Sequence, residues 1–470
     1  MKTRSYLIVP ILWLFLLSGC FSSHETIRDI RELKQDHSFY LGRMTPDALM
    51  LDPAEQKRID QNYNTMYFSP WHQEKPAYSL AEIAEEFEKY SQNRGYGENG
   101  RKHTRKWMKK LTGNARLNHY PSESIPAITI RHSNLRALPT YRPHFNSFKR
   151  GGSGYPFDNL QVSAVTVNTP ILISHVTRDR AWVMAETAYY FGWMPAKDVA
   201  FVDADFMKNW ESHPYAVVIK DKTPLYDGQG LFLFKAPLGA LFPKVRDEER
   251  SMEILTAVAN ENGRAVFKKV AVSKERVASK PLKMTTMNMA SVANELINEP
   301  YGWGGLHGNR DCSAMIRDLF APFGFWLPRN SAQQAQNVGT FIDLSALTPE
   351  EKGKAIVTQG IPYLTLLWRR GHIMLYIGTY QGEPLVFHNM WGISTRNLLG
   401  RKGKVIVGHA AITTLHPGRE LLNYDVASAD LTMNIIGMTL LVKPASLAYA
   451  TGSPCTQINS RWKHPDVIRK

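Results

Sequence analysis

The stretch GNRDCSAMIRDLF, from Gly308 to Phe320, sets Cys312 between an aspartate and a serine at what reads as the opening of an amphipathic helix. A cysteine can act as a nucleophile where it is partly exposed, near a base and held where negative charge is favoured. A helix start meets the last condition through its macrodipole and free N–H groups. The same groups can receive an oxyanion during acyl transfer. Candidate bases lie downstream. GHIMLYIGTY reads as a strand with His372, Met374 and Tyr376 on one face and Ile373, Leu375 and Ile377 on the other, core-like face. PLVFHNM reads as a second strand, with Val386 and His388 on one face. A hairpin symmetric about Tyr380 sets His372 opposite His388, whereas a tighter turn at Gln381-Gly382 staggers them, so spacing leaves the register open. As neighbours, His388 would orient His372 and stabilise its charged form, as the third member of a triad does. Asp311 has two readings, a helix N-cap and a carboxylate for a substrate ammonium.

Other fates for Cys312 are less favoured. The chain has three cysteines, Cys20, Cys312 and Cys455. It contains neither C-x-x-C nor H-E-x-x-H, so no metal site is expected. Cys455 lies in a Pro/Gly/Ser-rich tail and is a poor candidate for a stabilising disulfide. Core packing and nucleophilic catalysis remain.

The elements that must position these residues are spread over 470 residues, enough for about three domains at roughly 150 residues each. The chain carries 57 Lys+Arg against 42 Asp+Glu, a net charge of +15, which favours an anionic partner. MKTR followed by an apolar run from Tyr6 to Leu17 reads as a secretory signal, too short to span a bilayer. Leu17-Ser18-Gly19-Cys20 then resembles the lipobox of bacterial lipoproteins, which implies cleavage before Cys20, its acylation, and an address in the cell envelope, the outer membrane in a Gram-negative cell. Export argues against nucleic acid as the partner and for an anionic envelope.

The expected architecture is multidomain. A signal peptide over 1–19 and an exposed tether over 20–45 precede a helical region over 46–118, where Ser79-Leu80-Ala81-Glu82 reads as a capping box. Two small β-barrels follow, over 119–208 and 209–280, marked by β-branched and aromatic runs broken by turns such as Gly151 to Gly154. A C-terminal α+β domain over 281–470 has helices first and an antiparallel sheet after. In the first barrel, RDRAWVMAETAYYFGWMPAKDVAF resembles the Gly-Trp strand of bacterial SH3-like domains.

YGWGG at Tyr301 to Gly305, DCSA, GHIMLYIG and a later histidine together resemble the NlpC/P60 family of bacterial cell-wall cysteine peptidases. The resemblance covers roughly 284–415 and implies a papain-like α+β domain without a cofactor, with Cys312 as nucleophile, His372 as base and His388 as orienting residue. The upstream layout resembles the subfamily that cuts the γ-D-glutamyl to diamino acid bond of peptidoglycan stem peptides. By that resemblance Asp311 and Ser313 hold a free N-terminal L-Ala, and Ser331, Tyr301 and Trp303 contact substrate. A first-barrel tyrosine lines the pocket in relatives, for which Tyr190, or its neighbour Tyr189, is the candidate. Ala314 and Met374 depart from the family pattern by standing where smaller residues are usual, and Met374 is expected to narrow the pocket. Two other readings remain open: a related amidase or acyltransferase, and a non-catalytic wall-binding lipoprotein.

Overall fold

The computed structural model describes residues 27–41, 47–148 and 154–448. The signal segment, Cys20, Gly151 to Ser153 and Cys455 lie outside the described residues.

The helical region is built by its caps. Asp52 accepts from the N–H groups of Ala54 and Glu55 and opens Pro53–Phe68, with Pro53 at the first turn, where a missing N–H costs nothing. Ser79 and Glu82 form the capping box of Leu80–Gln92. That helix lays Ile83, Phe87 and Tyr90 on Trp182, Met184 and Trp193 of the first barrel. The helix Arg105–Ala115, capped by Thr104, turns Arg105, Lys106, Lys109 and Lys110 to solvent.

The first barrel is one antiparallel sheet of seven strands between Ile125 and Phe201, closed around Leu135, Ile171, Ile173, Val183 and Met194. A short helix, Ala204–Ser212, leads to a second barrel of strands between Tyr215 and Ser279 around Val218, Phe242, Ile254 and Val270.

The C-terminal domain has a six-stranded antiparallel sheet, ordered Thr340–Asp343, Ile435–Leu440, Thr365–Arg369, His372–Tyr380, Glu383–Arg396, Lys402–Thr414. The helix Cys312–Phe320 packs on one face, burying Met315, Ile316, Leu319 and Phe320 with Ile373, Leu375, Phe387 and Ile412. The other face is buried as well. Met374, Tyr376 and Val386 pack with Ile356 of the helix Pro349–Gln359 and with Leu431. Met374 is therefore core and does not narrow the pocket as expected.

Residues 27–41 correct the expected tether, because they dock on the catalytic sheet. Asp29 accepts from both the N–H and the hydroxyl of Thr414, each at 2.8 Å. The Gln35 amide pairs with the N–H and C=O of Ile412, at 2.8 and 2.9 Å, on the edge strand. His37, fully buried, meets the Tyr363 hydroxyl at 2.9 Å. An unpaired sheet edge is thereby covered.

The barrels are clamped onto the catalytic domain through buried charges. Arg310 binds Asp221 of the second barrel at 2.7 and 3.0 Å, and also Glu299 and Asp318. The first barrel meets the loop before Cys312, where Gln161 Nε2 donates to Gly304 O at 3.0 Å. Gly304 and Gly305 have φ of +60° and +82°, and a Cβ on them would meet Gln161 Cγ at 2.6 Å and Ala164 Cβ at 2.5 Å. The paired glycines of YGWGG are thus needed both for the left-handed turn and for the close approach of the barrel.

Candidate active site

Asp311 is the N-cap of the Cys312–Phe320 helix and accepts from Ala314 N at 2.9 Å. Cys312 is the first helical residue and only 6% exposed. The loop before it is held by Asn389, whose amide donates to Glu299 O at 3.1 Å and Arg310 O at 2.9 Å.

The hairpin takes the tighter of the two registers. Tyr380 pairs with Glu383 across Gln381-Gly382, both at positive φ, and a bulge falls between Tyr376 and Gly378. Continuing the register places His388 across from Met374, so His372 and His388 are diagonal neighbours on one face. The ladder ends at Leu375↔Phe387. Beyond it the strands part and the Ile373 N–H is directed at the Cys312 thiol, where it favours the anion.

His372 Nε2 lies 2.8 Å from His388 Nδ1, and His388 Nε2 lies 3.0 Å from Thr413 Oγ1. The Thr413 hydroxyl donates to Thr414 O at 2.8 Å. Its oxygen must then accept from His388 Nε2–H, which leaves His388 Nδ1 unprotonated. His372 must in turn donate from Nε2, and His372 Nδ1 is left as the basic nitrogen. The proton positions follow from this chain of donors and acceptors. No hydrogen bond joins His372 to Cys312 in the structure; such bonds often tighten only with substrate bound.

Burial governs the ionisation of the site. It pushes the Cys312 thiol up to about 12, reinforced by the Asp311 carboxylate and only partly offset by the Ile373 N–H, Arg329 and the Ser313 N–H. Burial, then Arg369 and Lys404, push His372 down to about 3. Burial, then His372 and Arg369, hold His388 well below the usual histidine range. The resting pair is a neutral thiol and a neutral imidazole. The helix-start advantage expected for a thiolate is outweighed by desolvation.

Asp311 does not offer a free carboxylate. Arg329 holds both of its oxygens, at 2.6 and 3.1 Å, and Ser313 Oγ and the N–H groups of Ala314 and Gly304 complete its shell. The expected pairing of Asp311 with a substrate ammonium is thus corrected: the cation is Arg329 of this chain. Ser313 Oγ is occupied too, donating to Asp311 and accepting from Arg329 at 2.9 Å.

A cleft of about 240 Å³ runs along the histidine side, lined by His372, His388, Tyr301 and Trp303 among others. Tyr301 lies close enough to Cys312 and Asp311 for their charges to raise its hydroxyl further above its already burial-raised value. Trp303 donates from Nε1 to Asp158 O of the first barrel at 3.1 Å. The barrel's aromatic contribution is Phe157, which packs edge-on against Trp303 and Trp391, both at 5.2 Å between ring centres. Tyr190 is elsewhere, in a small pocket with Ile83, Glu86 and Phe191 against the helical region. Its neighbour Tyr189 lies over the Arg317 guanidinium and beside Trp326. Ser331 is half-buried at the start of the helix Ser331–Gln336, which Asn330 caps, and it is not among the cleft's lining residues. Phe157, Thr413 and Arg329 escaped the sequence reading. Arg329 alone had a signal, since it immediately precedes the Asn330 cap in RNSAQQ. Among the described residues no group of three or more His, Cys, Asp or Glu side chains is placed to hold a metal ion.

A cysteine at the start of a helix that packs on an antiparallel sheet, with a histidine pair carried by that sheet, defines the domain as a papain-like cysteine hydrolase. Family comparison makes this specific. Four models match in series: the NLPC_P60 N-terminal stabilising domain over residues 9–120, an SH3 domain of SH3b1 type over 143–195, an SH3 domain of SH3b2 type over 203–248, and the NlpC/P60 family over 298–401. The chain belongs to the NlpC/P60 family of cell-wall cysteine peptidases. A solved structure described as a novel NlpC/P60 endopeptidase, from Photobacterium damselae subsp. piscicida, is 27% identical. The match covers 87% of this chain and 97% of that one, with a TM-score of 0.77. An NlpC/P60 family protein from Bacillus cereus is 15% identical over 68% of this chain and 100% of that one, with a TM-score of 0.43. No curated protein sequence matches the chain.

Proposed function

We propose that the protein cleaves the bond between γ-D-glutamate and the diamino acid of peptidoglycan stem peptides, and prefers peptides whose N-terminal L-Ala is free. The observation that carries this reading is that Cys312 opens a helix and meets the N–H of Ile373, the residue after His372, while His372, His388 and Thr413 form one hydrogen-bonded chain.

Each step of the reaction has a group to perform it. His372 Nδ1 takes the thiol proton as Cys312 Sγ attacks the carbonyl carbon, so that proton transfer and attack are coupled and no free thiolate accumulates. The N–H groups at the helix start receive the developing oxyanion. Collapse of the tetrahedral intermediate breaks the C–N bond while His372 returns the proton to the departing amine. A thioester remains on Cys312. Water, deprotonated by His372, then releases the γ-glutamyl product. His388 keeps Nδ1 of His372 basic by accepting from Nε2 and stabilises the imidazolium when it forms.

The preference for a free amino terminus rests on closure. Arg329 Nε donates to Ser163 Oγ of the barrel at 2.7 Å, and Gln161 and Trp303 add two further links beside the Asp311 end of the site. We take this wall to leave room for a short peptide end and to exclude a peptide still joined to glycan. The test is kcat/KM on a defined stem peptide with free or acylated L-Ala, with products identified by mass. Cleavage at the γ-D-glutamyl bond and a strong bias to the free form are expected. Equal rates on both forms would refute the closure, and a different scissile bond would refute the assignment.

The envelope address is part of the proposal. Cys20 is taken as the acylated N-terminus, and mass spectrometry of the native protein tests it: an unmodified terminus at another residue would contradict it.

A further inference from the structure

Four cations withdrawn from water in this protein have carboxylate partners. Arg136 pairs with Asp158, Arg310 with Asp221, Arg329 with Asp311 and Lys280 with Asp60. That is the usual requirement for charge removed from water. Arg369 and Lys404 have no such partner. Arg369 is half-buried and Lys404 is exposed at the cleft mouth; both line the cleft that holds His372 and His388, and among the described residues neither makes an ion pair. Arg369 has one side-chain hydrogen bond, to Ser428 O at 3.2 Å. It is the cross-strand partner of His372, and Lys404 is that of Ser394. Exposed Arg370 lines the same cleft. Three cations therefore converge on one cavity beside the base, with no anion to answer them.

The side of the site they occupy is fixed by the chemistry. The imidazolium of His372 must deliver its proton to the departing amine, so the leaving half of the substrate lies along the His372 wall. We propose that Arg369 and Lys404 form a subsite for a free carboxylate on the leaving half of the peptide. This rests on the reading of the protein as a cysteine endopeptidase and adds what the leaving half must carry. Partial desolvation in the cleft lowers both cations, and Lys404 is lowered further by Arg369. A bound carboxylate relieves both. It also screens the two charges that, after burial, hold down the basicity of His372. Substrate carrying the carboxylate thus strengthens the base at the moment the base is needed, and substrate lacking it does not.

Two measurements separate this proposal from the reading on which it rests. In the first, kcat/KM is compared for peptides whose leaving residue ends in a free carboxylate or a carboxamide. The wild type is expected to favour the acid at least tenfold, and Arg369→Gln and Lys404→Gln are each expected to bring the ratio within about threefold of unity. In the second, full-length protein is inactivated with iodoacetate or iodoacetamide, which alkylate the same Cys312 with and without a carboxylate. This readout does not depend on which bond the enzyme cuts. The iodoacetate-to-iodoacetamide rate ratio should fall at least fivefold in the Arg369→Gln/Lys404→Gln double variant, with the fold verified by thermal unfolding. A fall in this ratio without peptide cleavage would support the subsite and count against the stem-peptide assignment. An unchanged alkylation ratio together with equal rates on acid and amide peptides would overturn the subsite. The single variants provide the same test should the double variant not fold.

Discussion

Arg329 grips both carboxylate oxygens of Asp311, the residue immediately before Cys312, at 2.6 and 3.1 Å. The pair is buried, and the charges hold Asp311 below the usual carboxylate range even though burial alone would raise it. Removing one member of a buried pair leaves the other uncompensated, at a cost of about 3–5 kcal/mol. Arg329→Met is expected to lose stability on that scale in urea unfolding, and Arg329→Lys less. A loss below about 1 kcal/mol for Arg329→Met would show that the pair does not clamp the site.

The hydroxyl of Thr413 sets the tautomer of two histidines in series. Thr413→Val removes the acceptor for His388 Nε2–H, so His388 can flip its proton to Nδ1 and turn His372 the wrong way. A fall in kcat of about tenfold, roughly 1.4 kcal/mol of barrier, is expected with KM little changed. Thr413→Ser keeps the oxygen and should retain most of the rate. Equal losses in both variants would indicate packing alone.

The residues that carry chemistry were legible because their signals are local. The helix start at Cys312 and the alternation that puts His372 and His388 on one face can be read within a dozen residues of each. The hairpin register could not, because the bulge beside Gly378 changes it by one residue and leaves no mark in hydropathy. The contacts that span domains were also hidden. Asp311 reads identically whether it faces substrate or Arg329. Met374 shares the His372 face, yet it is core, because Pro349–Gln359 covers that face of the sheet. Phe157 replaces Tyr190 as the cleft aromatic through the way the barrel docks, which no periodicity records. The segment 27–41 looked like a tether because its polar residues Asp29 and Gln35 serve the edge strand through hydrogen bonds rather than apolar burial.

Acid should destabilise the fold. Seven histidines among the described residues, His37, His103, His132, His144, His175, His372 and His388, are held below 6.5, chiefly by burial, and His416, paired with Asp430, is raised. As pH falls below the unfolded value, the unfolded chain takes up protons that the folded one refuses. Each histidine that stays neutral removes up to about 1.4 kcal/mol per pH unit, whereas His416, raised above its unfolded value, has already given its stabilisation above this window and adds no slope within it. The urea midpoint should fall steadily from about pH 6.5 to 4.5, above the range where Asp221 and Asp311 begin to matter. A flat profile across that window would contradict the burial of these imidazoles.

The thiol should behave as a thiol. With Cys312 pushed up to about 12, its alkylation by iodoacetamide is expected to rise about tenfold per pH unit between pH 6 and 9. A preformed thiolate–imidazolium pair would instead give a rate plateau through neutral pH, and that plateau would refute the neutral resting state.

The central claim is that Cys312 performs the hydrolysis. The most direct measurement is release of products from purified sacculi and stem peptides by wild type and by Cys312→Ala, with matched thermal unfolding to establish that both are folded. The expected result is loss of all detectable cleavage in the variant. Activity within about tenfold of wild type, a barrier change of only about 1.4 kcal/mol, would contradict it.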